Sequence, residues 1–380
     1  MSTSIYFDYA AATPLAPEAR SAMEPYFSEK FYNTSALYLS AKEVARDVAA
    51  ARAAIASWFG TRPTEVVFTA GGTEANNLAI QGVMDQYPEA NIIVSAIEHE
   101  AVLQPAEKYP HKIAPVNSQG LIDLDQLGQL IDEQTALVSI MYANNEIGTI
   151  QPIRAVAQMI ARIRDERKKA GNNTPLYLHT DACQAANYLD LHVSRLGVDL
   201  MTTNAGKIYG PKQCGALFVR AGISLNPQIL GGGQERGIRS GTENVANIVG
   251  FAAALDLVQS TRENEIQRLK SLQNLFFDLL EQKLPSAIIN GSRKTRLPNN
   301  IHVTFPGVDN ERLMMSLDER GILCATGSAC SASSDEPSHV LTAIGLSDAD
   351  AQSSLRFSLG RGTTEADIHR VIDELIAVIG

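Results

Sequence analysis

The sequence predicts an α/β protein, with a mostly parallel sheet covered by helices and a smaller α+β unit after it. Two observations predict this. Between residues 64 and 220 short apolar runs alternate with segments of helical spacing, the pattern of βαβ units whose strands are buried on both faces. From about residue 258 the texture changes to a long polar helix and a few isolated strand-like runs.

Taken in order, VVFTA (66–70), NIIVSA (91–96), ALVSIMY (136–142), LYLHT (176–180), DLMTT (199–203) and GALFVR (215–220) read as buried strands. EANNLAIQGVMDQY and IRAVAQMIARIRDERKKAG between them carry apolar residues at helical spacing. DLMTT and GALFVR leave no room for an intervening helix, which predicts one antiparallel edge. IVGFAAALDLV (248–258) reads as a buried helix, and QSTRENEIQRLKSLQNLFFDLLEQKL (259–284) as a long polar one. IHVTF and RFSL are the strands of the smaller unit. The expected division is a large domain over 15–257 and a small one made of 1–14 and 258–380.

Composition bounds the function. The 380 residues are 45% hydrophobic and 19% charged, an ordinary globular balance with material for a large core. The net charge of -10 argues against nucleic acid or anionic lipid as a partner. The densest basic run, RIRDERKKAG (162–171), reads as the solvated end of a helix capped by Gly171. No secretory signal or membrane-spanning apolar run is read from the chain. The four cysteines, Cys183, Cys214, Cys324 and Cys330, match neither a metal template nor a disulfide framework, which suggests a reducing cytoplasm and no metal.

In open α/β sheets ligands bind beyond the carboxyl ends of the strands. There the sequence places GGTEANN after the first strand, His99 after the second, Asn144, Asn145 and Glu146 after the third, Asp181 to Gln184 after the fourth, and Lys207 after the fifth. Each has a plain structural use: Gly-Gly before a helix is commonly a tight turn, and a lone histidine commonly a satisfied neutral group. Five polar clusters at successive strand ends are harder to dismiss. A helix N-terminus with a Thr hydroxyl suits phosphate. With a carboxylate and a lysine it suggests pyridoxal phosphate, whose aldehyde needs an amine and whose ring nitrogen needs an acid.

The motifs GGTEANNLAI, EHEAVL, NNEIG, HTDACQA, KIYGPK, GGGQERGIRSGTENV, TGSACSA, EPSHVL and RFSLGR occur in an order that resembles the NifS/IscS-type cysteine desulfurases, over nearly the whole chain. The resemblance implies a homodimeric, cytoplasmic pyridoxal-phosphate enzyme of fold type I with a seven-stranded sheet. It would convert L-cysteine to L-alanine and hand the sulfur to an acceptor protein for iron–sulfur cluster assembly or tRNA thiolation. By the same resemblance Lys207 would bond the cofactor aldehyde, Asp181 face its ring nitrogen, and His99 stack on the ring and exchange a proton with the substrate thiol. Gln184 and Asn145 would bond the phenolic oxygen, with Asn145 also near the substrate. Thr73 and the Gly72 backbone would hold the phosphate, Thr242 would reach the phosphate of the other subunit, and Arg356 would clamp the substrate carboxylate.

Cys330 lies among Gly, Ser and Ala with no apolar neighbour, in the loop the resemblance assigns to the persulfide. A half-loop of about six residues spans up to roughly 20 Å, enough to swing between pocket and surface. Cys324, in GILCA, reads as structural, and Cys214 as the start of a core strand.

The chain departs from the pattern at three places. Relatives usually carry Ser-Gly-His before the lysine, where this chain has Asn204-Ala205-Gly206. Asn204 keeps an amide donor for the phosphate, whereas Gly206 offers only backbone. Thr34 and Tyr38 stand where a proline and a histidine are common. The chain stops at Gly380 where many relatives continue into a scaffold-docking tail, so the acceptor is left open. Two other readings compete: another class-V enzyme (an aminotransferase or selenocysteine lyase), and a catalytically weak homologue acting as a binding subunit.

Overall fold

A computed structural model describes residues 4–327 and 337–380. Its strands are β1 (Ile5–Tyr6), β2 (Val66–Thr69), β3 (Asn91–Ser95), β4 (His111–Ala114), β5 (Thr135–Ser139), β6 (Tyr177–Asp181), β7 (Leu200–Asn204), β8 (Gly215–Val219), β9 (Ile288–Ile289), β10 (Asn300–Thr304), β11 (Ile322–Leu323) and β12 (Ser354–Ser358). A seven-stranded sheet runs β2-β8-β7-β6-β5-β3-β4. It is parallel from β7 to β4, and β8 is antiparallel to both its neighbours.

Both faces of this sheet are covered, which is why its central strands read as unbroken apolar runs. Ile92 and Val94 join an apolar layer with Leu78, Ala79 and Val83 of the helix Gly72–Met84. Ile93 points the other way, into the layer with Val138, Leu178 and Phe251 of the helix Val245–Ser260. This is the two-residue alternation of a strand, with hydrophobic cover on each side.

The second group of elements centres on the antiparallel sheet β12-β10-β9; the long helix Arg262–Lys283 meets it through Phe276 against Phe357, and the last helix Glu365–Ile379 packs on the long one. The N-terminus joins this group: β1 pairs with β11, and Asp8 bridges to Ser358.

Three expectations need correction. The antiparallel strand is not at an edge; β8 lies inside the sheet because β2 closes over it. The polar helix starts at Arg262, since Gln259 and Ser260 finish the buried helix before it. Gln259 is buried because its Nε2 donates to the carbonyls of Ala186 and Leu189. Finally, the basic run is not wholly solvated. Gly171 does follow the helix Ile153–Lys169 in a left-handed conformation (φ 79°). Arg167, however, is buried, with its guanidinium donating to the carbonyls of Asp132, Thr174 and Pro175.

Candidate active site

The carboxyl ends of the parallel strands open onto a cavity of about 250 Å³. Its wall contains Gly72, Thr73, His99, Asn145, Asp181, Gln184, Asn204, Lys207 and Arg356, nine residues singled out from the sequence.

Asp181 ends β6 and is buried. Its Oδ1 accepts from the Cys183 N–H at 2.8 Å, and its Oδ2 accepts from Asn76 Nδ2 at 2.6 Å. The first bond is the local turn expected of an Asp after a strand; the second comes from another element and fixes the carboxylate in the cavity wall. Asn76 lines the same cavity, and its buried Oδ1 has no partner among the described residues.

Lys207 follows β7 on a short 3₁₀ turn, Ala205–Lys207. Its Nζ donates to the carbonyls of Ala10 (3.0 Å) and Ala11 (2.6 Å), and Gln184 Nε2 donates to Ala10 O at 2.9 Å. The N-terminal segment is therefore one wall of the site. His99 is the N-cap of the helix Glu100–Ala106, and its Nδ1 accepts from the Ala101 N–H at 3.0 Å. The neutral ring then carries its proton on Nε2.

Gly72 opens the helix Gly72–Met84 directly after β2, leaving the first N–H groups of that helix without intrahelical acceptors. A Cβ at Gly72 would lie 2.8 Å from Cys183 Sγ, so any side chain there would have to push the Cys183 thiol aside. Asn204 Oδ1 accepts from the Gly206 N–H at 3.0 Å. Arg356 on β12 donates from Nη2 to Asp8 Oδ1 at 2.6 Å and from Nη1 to Asn145 O at 3.1 Å. Its Nε is buried without a partner among the described residues.

Two sequence-chosen residues are not brought into this cavity. Thr242 lines a separate one, with Glu235, Arg239 and Cys214. Cys330 lies outside the described residues. Its flanks are anchored at the site: Ala325 pairs with the Arg356 backbone, and Ser338 Oγ donates to Glu146 Oε2 at 2.6 Å. Burial pushes the Cys214 and Cys324 thiols up to about 12 and raises that of Cys183, so these three are protonated at neutral pH. Among the described residues no group of three or more His, Cys, Asp or Glu could hold a metal ion.

Sequence reasoning missed Asp8 and Glu98. Asp8 gave no local signal, because its meeting with Arg356 is purely tertiary. Glu98 stood beside His99 in IEHE. It is fully buried; Oε1 accepts from Ser95 Oγ (2.5 Å) and the Met141 N–H (2.7 Å), which ties the end of β3 to the segment after β5. Burial, with the Asp181 charge adding, pushes its pKa up to about 8.

The aminotransferase class-V family model matches residues 5–371. The chain belongs to the aminotransferase class-V family. Among its curated relatives, "Cysteine desulfurase IscS" of Dictyoglomus turgidum is 42% identical over 386 residues, covering 100% of this chain and 95% of that protein. Among solved structures, a NifS-like protein superposes with a TM-score of 0.91 at 31% identity, covering 99% of each chain. The structure of SspA in complex with cysteine superposes with a TM-score of 0.80 at 35% identity, over 94% of this chain and 99% of that one. The cofactor of this class-V enzyme is pyridoxal 5′-phosphate. The cavity fits it, with a buried acid, an amine, an orphaned buried amide oxygen and a glycine helix start packed against Cys183 in one wall.

Proposed function

We propose that the chain is a cysteine desulfurase. It takes the sulfur of L-cysteine, releases L-alanine, and holds the sulfur as a persulfide on Cys330 for an acceptor protein in iron–sulfur cluster assembly or tRNA thiolation. The observation that carries this reading is the convergence of an amine, a buried acid, a histidine and an arginine on one cavity, with the flanks of the Cys330 segment anchored beside it.

Pyridoxal phosphate bound there supplies an electron-accepting ring for the substrate α-carbon. Lys207 provides the amine for its aldehyde and afterwards holds the Cα proton. Asp181, fixed by Asn76, would partner the ring nitrogen, and Gln184 and Asn145 would serve the phenolic oxygen. Gly72 and Thr73 would hold the phosphate at the helix start. Arg356 binds the substrate carboxylate with N–H groups that Asp8 and Asn145 do not use. His99 moves a proton at Nε2 to or from the substrate sulfur. The Cys330 thiolate attacks that sulfur. The S–S bond forms as the Cβ–S bond breaks, and the electron pair stays on carbon, which is protonated to alanine.

The enzyme works as a homodimer in which Thr242 serves the partner's site. Phe27, Phe31, Leu37 and Leu39, close together in the sequence, are all exposed, which supports a subunit contact near this segment. The division into 15–257 and 1–14 with 258–380 draws support from β1 pairing with β11. A persulfide carrier suits the reducing cytoplasm. The test is mass spectrometry after mixing with L-cysteine. The peptide containing Cys330 should gain one sulfur atom as alanine appears, and a gain on another cysteine or none at all refutes the assignment.

A further inference from the structure

Resting on the reading of the cavity as a pyridoxal-phosphate site, we infer that Lys212, together with Asn204, makes the phosphate contacts that relatives draw from Ser-Gly-His. A second cavity of about 560 Å³ adjoins the first and shares Ala11, Gly72, Thr73, Asn204 and Lys207 with it. It extends from the start of the helix Gly72–Met84 to Gly206 and Lys212. This is the end of the site where a phosphate meets helix N–H groups.

Three details assign Lys212 its place. A Cβ at Gly206 would lie 3.7 Å from both Cα and Cγ of Lys212, so the lysine stem passes over the position from which a histidine side chain would project. Lys212 Nζ donates to Thr13 O at 2.7 Å and pairs with no carboxylate among the described residues, leaving N–H groups for an anion. The nearest acid in that wall, Glu74, is already held by Arg239 at 2.8 Å and by the Ala70 N–H.

Asn204 completes the set. Its Oδ1 is occupied by the Gly206 N–H, so the amide is held one way round. Its Nδ2 lies 3.5 Å from the Cβ position of Gly72, at the start of the helix. The phosphate thus receives a neutral donor and a cation from the turn after β7 and its continuation, in place of a hydroxyl and an imidazole. Position 206 can still carry a side chain, though a larger one has to share its space with the stem of residue 212. The nearest atoms to its Cβ, Asn204 Oδ1 at 3.5 Å and Cα and Cγ of Lys212 at 3.7 Å, are at ordinary contact distance, so the backbone there accepts a Cβ.

The experiment compares pyridoxal phosphate with pyridoxal, which lacks the phosphate, by titrating each into cofactor-stripped protein and following the visible absorbance. Lys212→Met should bind pyridoxal phosphate roughly tenfold more weakly, the scale of one charge-assisted contact on a solvent-accessible side chain, and pyridoxal as well as before. Lys212→Arg should retain most of the affinity. Adding Gly206→His to Lys212→Met should restore it. Unchanged affinity for pyridoxal phosphate in Lys212→Met, or an equal loss for both ligands in a variant whose unfolding curve matches wild type, overturns the inference. Wild-type protein that binds neither ligand overturns the cofactor reading itself, a different failure with a different signature.

Discussion

Removing the charge of Asp8 gives the sharpest test of how Arg356, proposed above to bind the substrate carboxylate, is held. Arg356 is 2% exposed, and its side chain ties β12 to Asp8 at 2.6 Å and to the Asn145 carbonyl at 3.1 Å. Asp8→Asn keeps the shape and leaves the guanidinium without its counter-ion. Breaking a buried pair from one side costs about 3–5 kcal/mol. The Asp8 side chain is 20% exposed, so water offsets part of this, and a loss of about 2–3 kcal/mol is expected. Denaturant unfolding should show a lower midpoint with an unchanged slope. Arg356→Gln and the double variant complete a cycle whose coupling should reach about 1.5 kcal/mol or more. In Asp8→Asn, L-alanine should also stabilise the protein more than it does wild type, because its carboxylate replaces the missing one. Ligand at a hundredfold its Kd contributes about 2.7 kcal/mol. A coupling below about 0.5 kcal/mol, or equal stabilisation of both proteins by alanine, refutes the reasoning.

Other perturbations follow from the same geometry. Glu98 has a folded pKa raised to about 8 by burial, above its unfolded value, so its contribution is complete at low pH and is lost as pH rises through that window. Glu98→Gln should therefore gain stability relative to wild type between about pH 4.5 and 8, and parallel pH–stability curves would contradict this. Burial holds His179 at about 4 and His302 at about 3, so stability should fall as pH drops below about 6.5, where the unfolded imidazoles take up protons; a flat acid limb in denaturant titrations would contradict it. Gly72→Ala forces a methyl to within 2.8 Å of Cys183 Sγ and should cost about 1–3 kcal/mol, with Cys183→Ala restoring most of it in thermal unfolding. Cys330→Ala should end sulfide release from cysteine while leaving the visible cofactor absorbance intact, whereas Lys207→Ala should lose both. Sulfide release that survives Cys330→Ala would favour another class-V chemistry.

The site was legible where the sheet does the gathering. A parallel sheet brings the carboxyl ends of its strands to one side, so a polar cluster after each apolar run is a spatial cluster as well. His99, Asn145, Asp181 and Lys207 were readable for that reason. What failed to show had no local signature. The strand β4 (HKIA) is an edge strand with His111 and Ile113 exposed, and so lacks the apolar run that marked its neighbours. The place of β8 depends on β2 choosing it as a partner, a choice absent from either segment. Arg167 and Gln259 are polar residues buried because each finds backbone carbonyls in another part of the chain, and hydropathy cannot register such a partner.

The N-terminal segment shows the same limit in its functional form. Ala10 and Ala11 offer their carbonyls to the Lys207 amine, Ala10 also accepts from Gln184, and Asp8 holds Arg356. Thr13 adds a bond to the Gly206 carbonyl and takes one from Lys212. Lys207 comes from the turn after β7 and Arg356 from β12, about 150 residues apart in sequence. A six-residue stretch with ordinary composition therefore links Lys207, Gln184 and Lys212 to Arg356. Its carbonyls and one carboxylate do this with almost no side-chain chemistry of their own. A substitution that shifts its backbone, such as Ala11→Pro, should for that reason disturb cofactor absorbance and carboxylate binding together, whereas a site assembled from independent halves would lose only one.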